Sequence, residues 1–221
     1  MAETLTHVTG RSKPILLEGH QMIFYNQRSR DWTHPYPFGA EQENLSQAGC
    51  GIFSVCHVRE WLTGEKCVPE ELADFSCRSG GRDDTGTNRP GLLSAMEKTG
   101  LAREYGFSYH FDGLNNDLER LWEHMAEGGC ALCNLRVGHI VALLAAREME
   151  GRRAYLALDS YCESQDSRVM DHVLGTVPGT EVTYLRKNGL GIVTGAQTSY
   201  AAYWVDASLP KDFNYLHPIR A

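Results

Sequence analysis

The segment QAGCG (47–51) places a cysteine between two glycines, directly before an amphipathic stretch that ends at Gly64. The spacing of the apolar residues predicts a helix with Cys50 at its start. A thiol in that position faces unpaired N–H groups and the positive end of the helix dipole, which lower its pKa and favour the thiolate. Its own N–H is a donor for an oxyanion, and the flanking glycines allow close approach. The pattern therefore indicates a nucleophile.

A histidine and an aspartate lie at matching ends of a predicted β-hairpin, VGHIVALLAAREMEGRRAYLALDS (137–160), which turns near Glu150. With the turn centred there, His139 lies opposite Tyr161 and diagonal to Asp159, at roughly 7–8 Å between backbones. An aspartate that accepts from one ring nitrogen fixes the tautomer and leaves the other nitrogen for a thiol. Cys50, His139 and Asp159 thus have the residue types of nucleophile, base and orienting group.

A fourth candidate lies upstream of the helix, in FYNQRSRDW (24–32). Gln27 carries a neutral amide donor. Together with the N–H of Cys50, such a donor would complete an oxyanion hole.

The elements that must position these residues follow a simple order. Apolar periodicity, Pro69 and cap residues predict four helices between residues 50 and 129, and the aromatic segment 20–38 is expected to be irregular. After Gly129, short apolar runs separated by turn residues predict strands. Helices followed by an antiparallel sheet indicate an α+β domain.

Composition excludes several classes of protein. The 221 residues carry a net charge of −7 without a basic stripe, so nucleic acid is not an expected partner. No apolar run approaches the roughly 18 residues that span a bilayer, and the first residues do not resemble a signal peptide. Seven scattered cysteines are expected to be reduced thiols in the cytoplasm. The lone CxxC, Cys130 to Cys133, falls in a predicted strand, where its thiols face opposite sides, so no zinc site is expected.

The chain resembles papain-like cysteine peptidases, and among them stand-alone relatives of the bacteriocin-processing (double-glycine leader) peptidases. YNQRSRDW, QAGCG, VGHIVALL and LALDS carry the resemblance, which covers roughly residues 20–206. It implies an α+β papain-like fold, in which an N-terminal helical part bears the cysteine at a helix N-terminus and packs on a C-terminal antiparallel sheet. It also implies an N-terminal extension (1–19) and one peptidase domain (20–221).

The same resemblance implies roles for the four residues: Cys50 as nucleophile, His139 as base, Asp159 as the group orienting His139, and Gln27 as oxyanion donor. The best-known members keep that glutamine about six residues before the cysteine, where this chain has Asn44. Gln47 is also near, so these two residues stay alternatives to Gln27.

Three functions remain open at this point. The expected one is hydrolysis of a peptide or other amide bond through an acyl-enzyme, with a peptide or small amide as substrate, no metal or organic cofactor, and no membrane partner. An acyltransferase would use the same residues with an amine or thiol acceptor. A catalytically silent domain would only hold a peptide in the cleft. The sequence leaves the oligomeric state undetermined.

Overall fold

The computed structural model of the protein describes residues 4–7, 10–136 and 138–219. The α-helices of these residues all precede residue 127. They are α1 (Leu45–Ala48), α2 (Cys50–Thr63), α3 (Pro69–Ser79), α4 (Arg89–Thr99), α5 (Leu101–Glu104) and α6 (Leu118–Ala126). The early strands are short and lie among them: β1 (Thr4–His7), β2 (Ser12–Leu17), β3 (His20–Tyr25), β4 (Arg82–Asp83), β5 (Gly86–Thr87) and β6 (Phe107–Ser108).

The longer strands follow α6. They are β7 (Cys130–Arg136), β8 (His139–Met149), β9 (Arg152–Leu158), β10 (Val173–Thr176), β11 (Glu181–Lys187), β12 (Val193–Tyr200), β13 (Ala202–Asp206) and β14 (Asp212–Pro218). A seven-stranded antiparallel sheet has the order β10-β13-β9-β8-β7-β14-β6, and β1-β11-β12 form a smaller sheet. The expected α+β class with a large antiparallel sheet is confirmed.

The large sheet is buried on both faces, because its strands alternate between two cores. Cys130 and Leu132 of β7 belong to the core on the side of α2, whereas Cys133 belongs to the core that Leu121 and Met125 of α6 complete. The two thiols of the CxxC therefore face opposite sides of the sheet, as expected. Helix α2 packs mainly on β8, which brings its first residue to the end of the sheet where His139 lies.

Helix boundaries follow local chemistry. The side chain of Asn88 accepts from the N–H of Gly91 at the start of α4, and the side chain of Asp117 accepts from the N–H groups of the second and third residues of α6. Helix α2 ends where Gly64 adopts the left-handed conformation (φ 71°) and its N–H bonds to the carbonyl of Glu60.

Residues 12–25 form a β-hairpin, which differs from the irregular segment expected from residue 20 onward. Strands β2 and β3 pair in antiparallel register from Ser12↔Tyr25 to Leu17↔His20. Leu17 and Phe24 are fully buried in the main core, because alternate residues of the hairpin face it. The expected division between residues 1–19 and 20–221 falls inside this hairpin.

The hairpin of β8 and β9 positions the predicted histidine and aspartate. It turns at residues 150–151, and its register shifts by one residue between Leu143 and Ala145. Because of this bulge at Leu144, Ala142 pairs with Leu158, and continuation of that register places His139 opposite Tyr161. Their rings lie 5.3 Å apart between centroids. The end of the hairpin therefore matches the arrangement predicted for it.

Candidate active site

Cys50 is the first residue of α2, at the end of a tight turn from α1. A Cβ on Gly49 would lie 2.5 Å from the carbonyl oxygen of Leu45, and a Cβ on Gly51 would lie 2.5 Å from Cβ of Thr87. The two glycines therefore let the helix start pack against its own preceding turn and against β5. The N–H of Cys50, in the first turn, has no acceptor within the helix.

The half-buried thiol of Cys50 lies beside the imidazole of His139, and both side chains line the same small cavity. Burial raises the pKa of Cys50, whereas the hydrogen bond and positive charge of His139 lower it, as do the N–H groups of Ile140 and Gly51. The lowering contributions prevail, and the pKa lies below its ordinary value. The site therefore favours a thiolate paired with an imidazolium.

His139 contacts Asp159, the third residue predicted for the site, through one nitrogen of its imidazole ring. Its Nε2 lies 2.7 Å from Oδ1 of Asp159, which leaves Nδ1 for the thiol. Burial lowers the pKa of His139, but the charge and hydrogen bond of Asp159 and the hydrogen bond with Cys50 raise it to about 10. The side chain of His139 is 4% exposed, so its charge depends on these two partners.

Asp159 is fully buried and accepts several hydrogen bonds. Oδ1 accepts from the N–H of Tyr161 (2.8 Å), and Oδ2 accepts from the N–H of Glu163 (2.8 Å) and the hydroxyl of Tyr203 (2.9 Å). Burial raises the pKa of Asp159, while His139 and these N–H groups lower it to about 2. The carboxylate is thus held ionised in one orientation.

Gln27 lies in the same small cavity as Cys50 and His139, and it is 2% exposed. Its backbone N–H donates to the carbonyl of Ser160 (2.9 Å), and its Oε1 accepts from the hydroxyl of Ser160 (3.1 Å). Because the oxygen is engaged, the NH₂ group is the end of the amide that remains for a ligand.

The two alternatives to Gln27 lie elsewhere around the helix start. Gln47 is exposed at the rim of this cavity, and its Oε1 accepts from the N–H of Asn44 (3.0 Å) in the cap of α1. Oδ1 of Asn44 accepts from the hydroxyl of Ser46 (2.7 Å). Both side chains therefore serve the short helix before Cys50, and Gln27 is the buried amide beside the thiol.

Sequence reasoning missed three residues that hold this arrangement. Tyr203 reaches Asp159 from the neighbouring strand β13. Glu163 closes the turn after Asp159, and the guanidinium of Arg136 binds both of its carboxylate oxygens, with Nε 2.6 Å from Oε2. The spacing of Glu163 after Asp159 is a local signal that was available, whereas Tyr203 depends on strand order.

Among the described residues, two cavities border Cys50. The smaller, about 110 Å³, is lined by His139, Gln27 and Tyr161. The larger, about 390 Å³, also borders Cys50 and is formed mainly by residues 83–90, Leu114, Asn134 and Ile140. Cys50 therefore borders two adjoining spaces that a substrate could occupy.

One group of ligand atoms near the site has the spacing of a metal site. His139, Asp159 and Glu163 each bring one such atom within 4.8 Å of the others. These atoms are engaged: Glu163 is paired with Arg136, and Asp159 holds His139. A cation would have to displace the guanidinium and break the imidazole–carboxylate pair. The donor set therefore suits hydrogen bonding between these side chains, and the expectation of a metal-free site stays a prediction.

No family model, curated protein or solved structure matches this chain. In the part of the chain that the structure describes, every helix is too short or too polar to cross a membrane.

Proposed function

We propose that the protein is a papain-like cysteine peptidase or related amide hydrolase. The observation that carries the proposal is the position of the Cys50 thiol beside the imidazole of His139, whose Nε2 lies 2.7 Å from Oδ1 of the buried, ionised Asp159. The cysteine comes from a helix N-terminus, and the histidine and aspartate come from one end of an antiparallel sheet. This division supports the papain-like assignment of a single catalytic domain.

In the proposed reaction, the thiolate of Cys50 attacks the carbonyl carbon of an amide, and the carbonyl oxygen becomes an oxyanion. The NH₂ of Gln27 and the N–H of Cys50 donate to it. The C–N bond then breaks as the imidazolium of His139 gives its proton to the leaving nitrogen. Neutral His139 next takes a proton from water, which attacks the thioester. The C–S bond breaks, releasing the carboxylic acid and restoring the thiolate–imidazolium pair.

Asp159 has a positioning role in this scheme. It holds the ring by Nε2 so that Nδ1 faces the sulfur, and its charge stabilises the imidazolium. The proposed compartment is the cytoplasm, which agrees with the seven free cysteines.

The decisive experiment compares thiol reactivity within one sample. Brief exposure to limiting iodoacetamide, followed by peptide mapping, should label Cys50 before Cys77. Cys77 is the built-in control: it is exposed, but burial of its sulfur and the charge of Asp74 raise its pKa. Exposure alone would favour Cys77, so preferential labelling of Cys50 reports the thiolate. Faster labelling of Cys77 would contradict the proposal.

An activated ester tests the covalent step without knowledge of the substrate. A p-nitrophenyl ester of an N-acylated amino acid should give a burst of p-nitrophenol and an acyl adduct on Cys50 by intact mass. Cys50→Ala should give neither, and His139→Ala should give a much slower burst. Loss of the adduct only upon addition of an amine or thiol would favour the acyltransferase. A wild-type protein that forms no adduct would indicate a silent binding domain.

A further inference from the structure

The larger cavity beside Cys50 is lined by polar and apolar side chains that have no role in the proposed reaction. Its polar lining includes Asp83, Asn134 and Arg89, and apolar side chains of Pro90, Leu114 and Ile140 form other parts of its wall. Which ligand it fits depends on which of these polar groups are already engaged.

Arg89 does not offer a free positive charge. Its guanidinium forms an ion pair with Asp212 and also donates to the carbonyl of Leu132 (3.0 Å). Being 4% exposed, it is a structural part of the cavity floor.

Asp83 does offer a free negative charge. Its Oδ1 accepts from the N–H (3.0 Å) and hydroxyl (2.8 Å) of Thr85, which fix the carboxylate in place. Within the described residues, Asp83 takes part in no ion pair, and the guanidinium of neighbouring Arg82 pairs with Glu43 instead. The half-buried carboxylate of Asp83 therefore keeps Oδ2 and its charge available for a ligand.

A second acceptor is also unused. The NH₂ of Asn134 donates to Asp212 (2.9 Å), and this fixes the orientation of the amide. Oδ1 of Asn134 is buried and has no hydrogen-bond partner among the residues that the structure describes. A buried acceptor without a partner is costly, so a donor from a ligand would be favourable there.

We propose that this cavity receives a cationic side chain, with a terminal ammonium or guanidinium, on the acyl side of the amide that is cleaved. Asp83 is the ion-pair partner of the cation and Asn134 a further acceptor, while Pro90, Leu114 and Ile140 pack against its methylene stem. The inference rests on the proposed function, because His139 must protonate the leaving amine. The leaving group therefore lies in the smaller cavity with His139, and the acyl part lies in the larger one.

The test uses acyloxymethyl ketones of N-capped dipeptides, which alkylate an activated cysteine irreversibly. Each probe carries lysine, norleucine or glutamate at one of its two residues, and both positions are tested in turn. At one position, the lysine probe should modify Cys50 at least about tenfold faster than the norleucine probe, since one charge-assisted contact is gained. The glutamate probe should be the slowest. Equal rates for lysine and norleucine at both positions would overturn the inference.

Asp83→Asn and Asp84→Asn form a matched pair of variants. Both remove one negative charge, but only Asp83 lines the cavity, whereas Asp84 is exposed beside it. Asp83→Asn should abolish most of the preference for lysine while iodoacetamide labelling of Cys50 stays at the wild-type rate. Asp84→Asn should keep the preference. If both variants lose it equally, the overall charge of the surface causes the preference, and the inference is wrong.

Iodoacetamide separates this inference from the proposed function. If Cys50 is labelled preferentially but the ketones show no charge preference, the reactive thiol stands and the cationic subsite falls. If Cys50 reacts with neither reagent, the proposed function falls, and the subsite falls with it.

Discussion

Tyr203 donates its hydroxyl proton to Oδ2 of Asp159 at 2.9 Å, from a strand that is hydrogen-bonded to the strand before Asp159. Both side chains are fully buried. The tyrosine therefore reaches the carboxylate from the side opposite to His139, which is bonded to Oδ1. Asp159 is fixed between two side chains, and its orientation depends on the sheet as well as on its own turn.

Tyr203→Phe should destabilise the protein by about 1.5–3 kcal/mol, because a hydrogen bond to a buried charged group is lost. Urea unfolding measures this change. Labelling of Cys50 should fall only slightly, since the N–H groups of Tyr161 and Glu163 still hold Asp159. Tyr155→Phe is the matched control: this buried hydroxyl, on β9, has no hydrogen-bond partner among the described residues. Its removal should cost no stability, and equal losses in the two variants would contradict the role of Tyr203.

Gln27→Ala should reduce amide cleavage by roughly 10²- to 10³-fold if its NH₂ donates to the oxyanion. Steady-state kinetics on a peptide anilide measure the loss, which should appear in kcat rather than in KM. Iodoacetamide labelling of Cys50 should stay near the wild-type rate, because alkylation forms no oxyanion.

The controls for this prediction are the other two amides. Asn44→Ala and Gln47→Ala remove parts of the cap of α1, so each should cost about 1 kcal/mol of stability and little activity. Full activity of Gln27→Ala together with a crippled Gln47→Ala would place the oxyanion hole before the helix and would refute the assignment of Gln27.

The relation between His139 and Asp159 was predictable because it is local. One hairpin with a turn near Glu150 brings the ends of two adjacent strands together, and the pattern of turn residues reveals that turn. His139 lies opposite Tyr161 as expected, but this arrangement depends on a β-bulge that was not predicted. The turn lies at residues 150–151, and the bulge at Leu144 shifts the pairing by one residue. No residue type in HIVALLAA marks that bulge.

The hydrogen bond from Tyr203 and the hairpin of β2 and β3 were harder to predict from the sequence. Strand β13 pairs with β9 across more than forty residues of intervening chain, and strand order at that separation is set by packing. The aromatic residues and two prolines of segment 20–38 led to the expectation of irregular structure, so strand β3 at its start was not predicted. Yet LLEGHQ contains a two-residue turn, Glu18 and Gly19, both with positive φ, which is typical of a hairpin.

Gly51→Ala should destabilise the protein by about 1–3 kcal/mol, because the new Cβ would overlap the side chain of Thr87. Thr87 cannot yield easily, since its hydroxyl is bonded to the buried hydroxyl of Tyr36 (3.1 Å). Gly195→Ala is the control, since among the described residues, apart from its two chain neighbours, none has an atom within 4 Å of the Cβ position. Thermal unfolding should distinguish the two variants. A Gly51→Ala protein as stable as wild type would show that the glycine serves substrate approach instead.

The pH dependence of amide cleavage should show two limbs with assignable causes. On the acid side, activity falls as the Cys50 thiolate is protonated. Because the pKa of Cys50 is lowered, this fall occurs at a pH below the pKa of an ordinary thiol. On the alkaline side, activity falls as His139 loses the proton that the leaving amine needs. Because the pKa of His139 is raised to about 10, this fall occurs near that pH. Wild-type kcat/KM for a peptide anilide, measured from pH 5 to 11, gives both limbs.

Asp159→Asn should narrow this profile from both sides. Removing the negative charge lowers the pKa of His139, because that charge is the largest contribution that raises it. The alkaline limb therefore moves to lower pH. The imidazolium is then less populated, so the thiolate of Cys50 loses support, its pKa rises, and the acid limb moves to higher pH. Asp206→Asn removes the same charge from a carboxylate paired with Arg152 and should leave both limbs in place. A profile for Asp159→Asn that only drops in height would mean that Asp159 orients the imidazole without stabilising its charge.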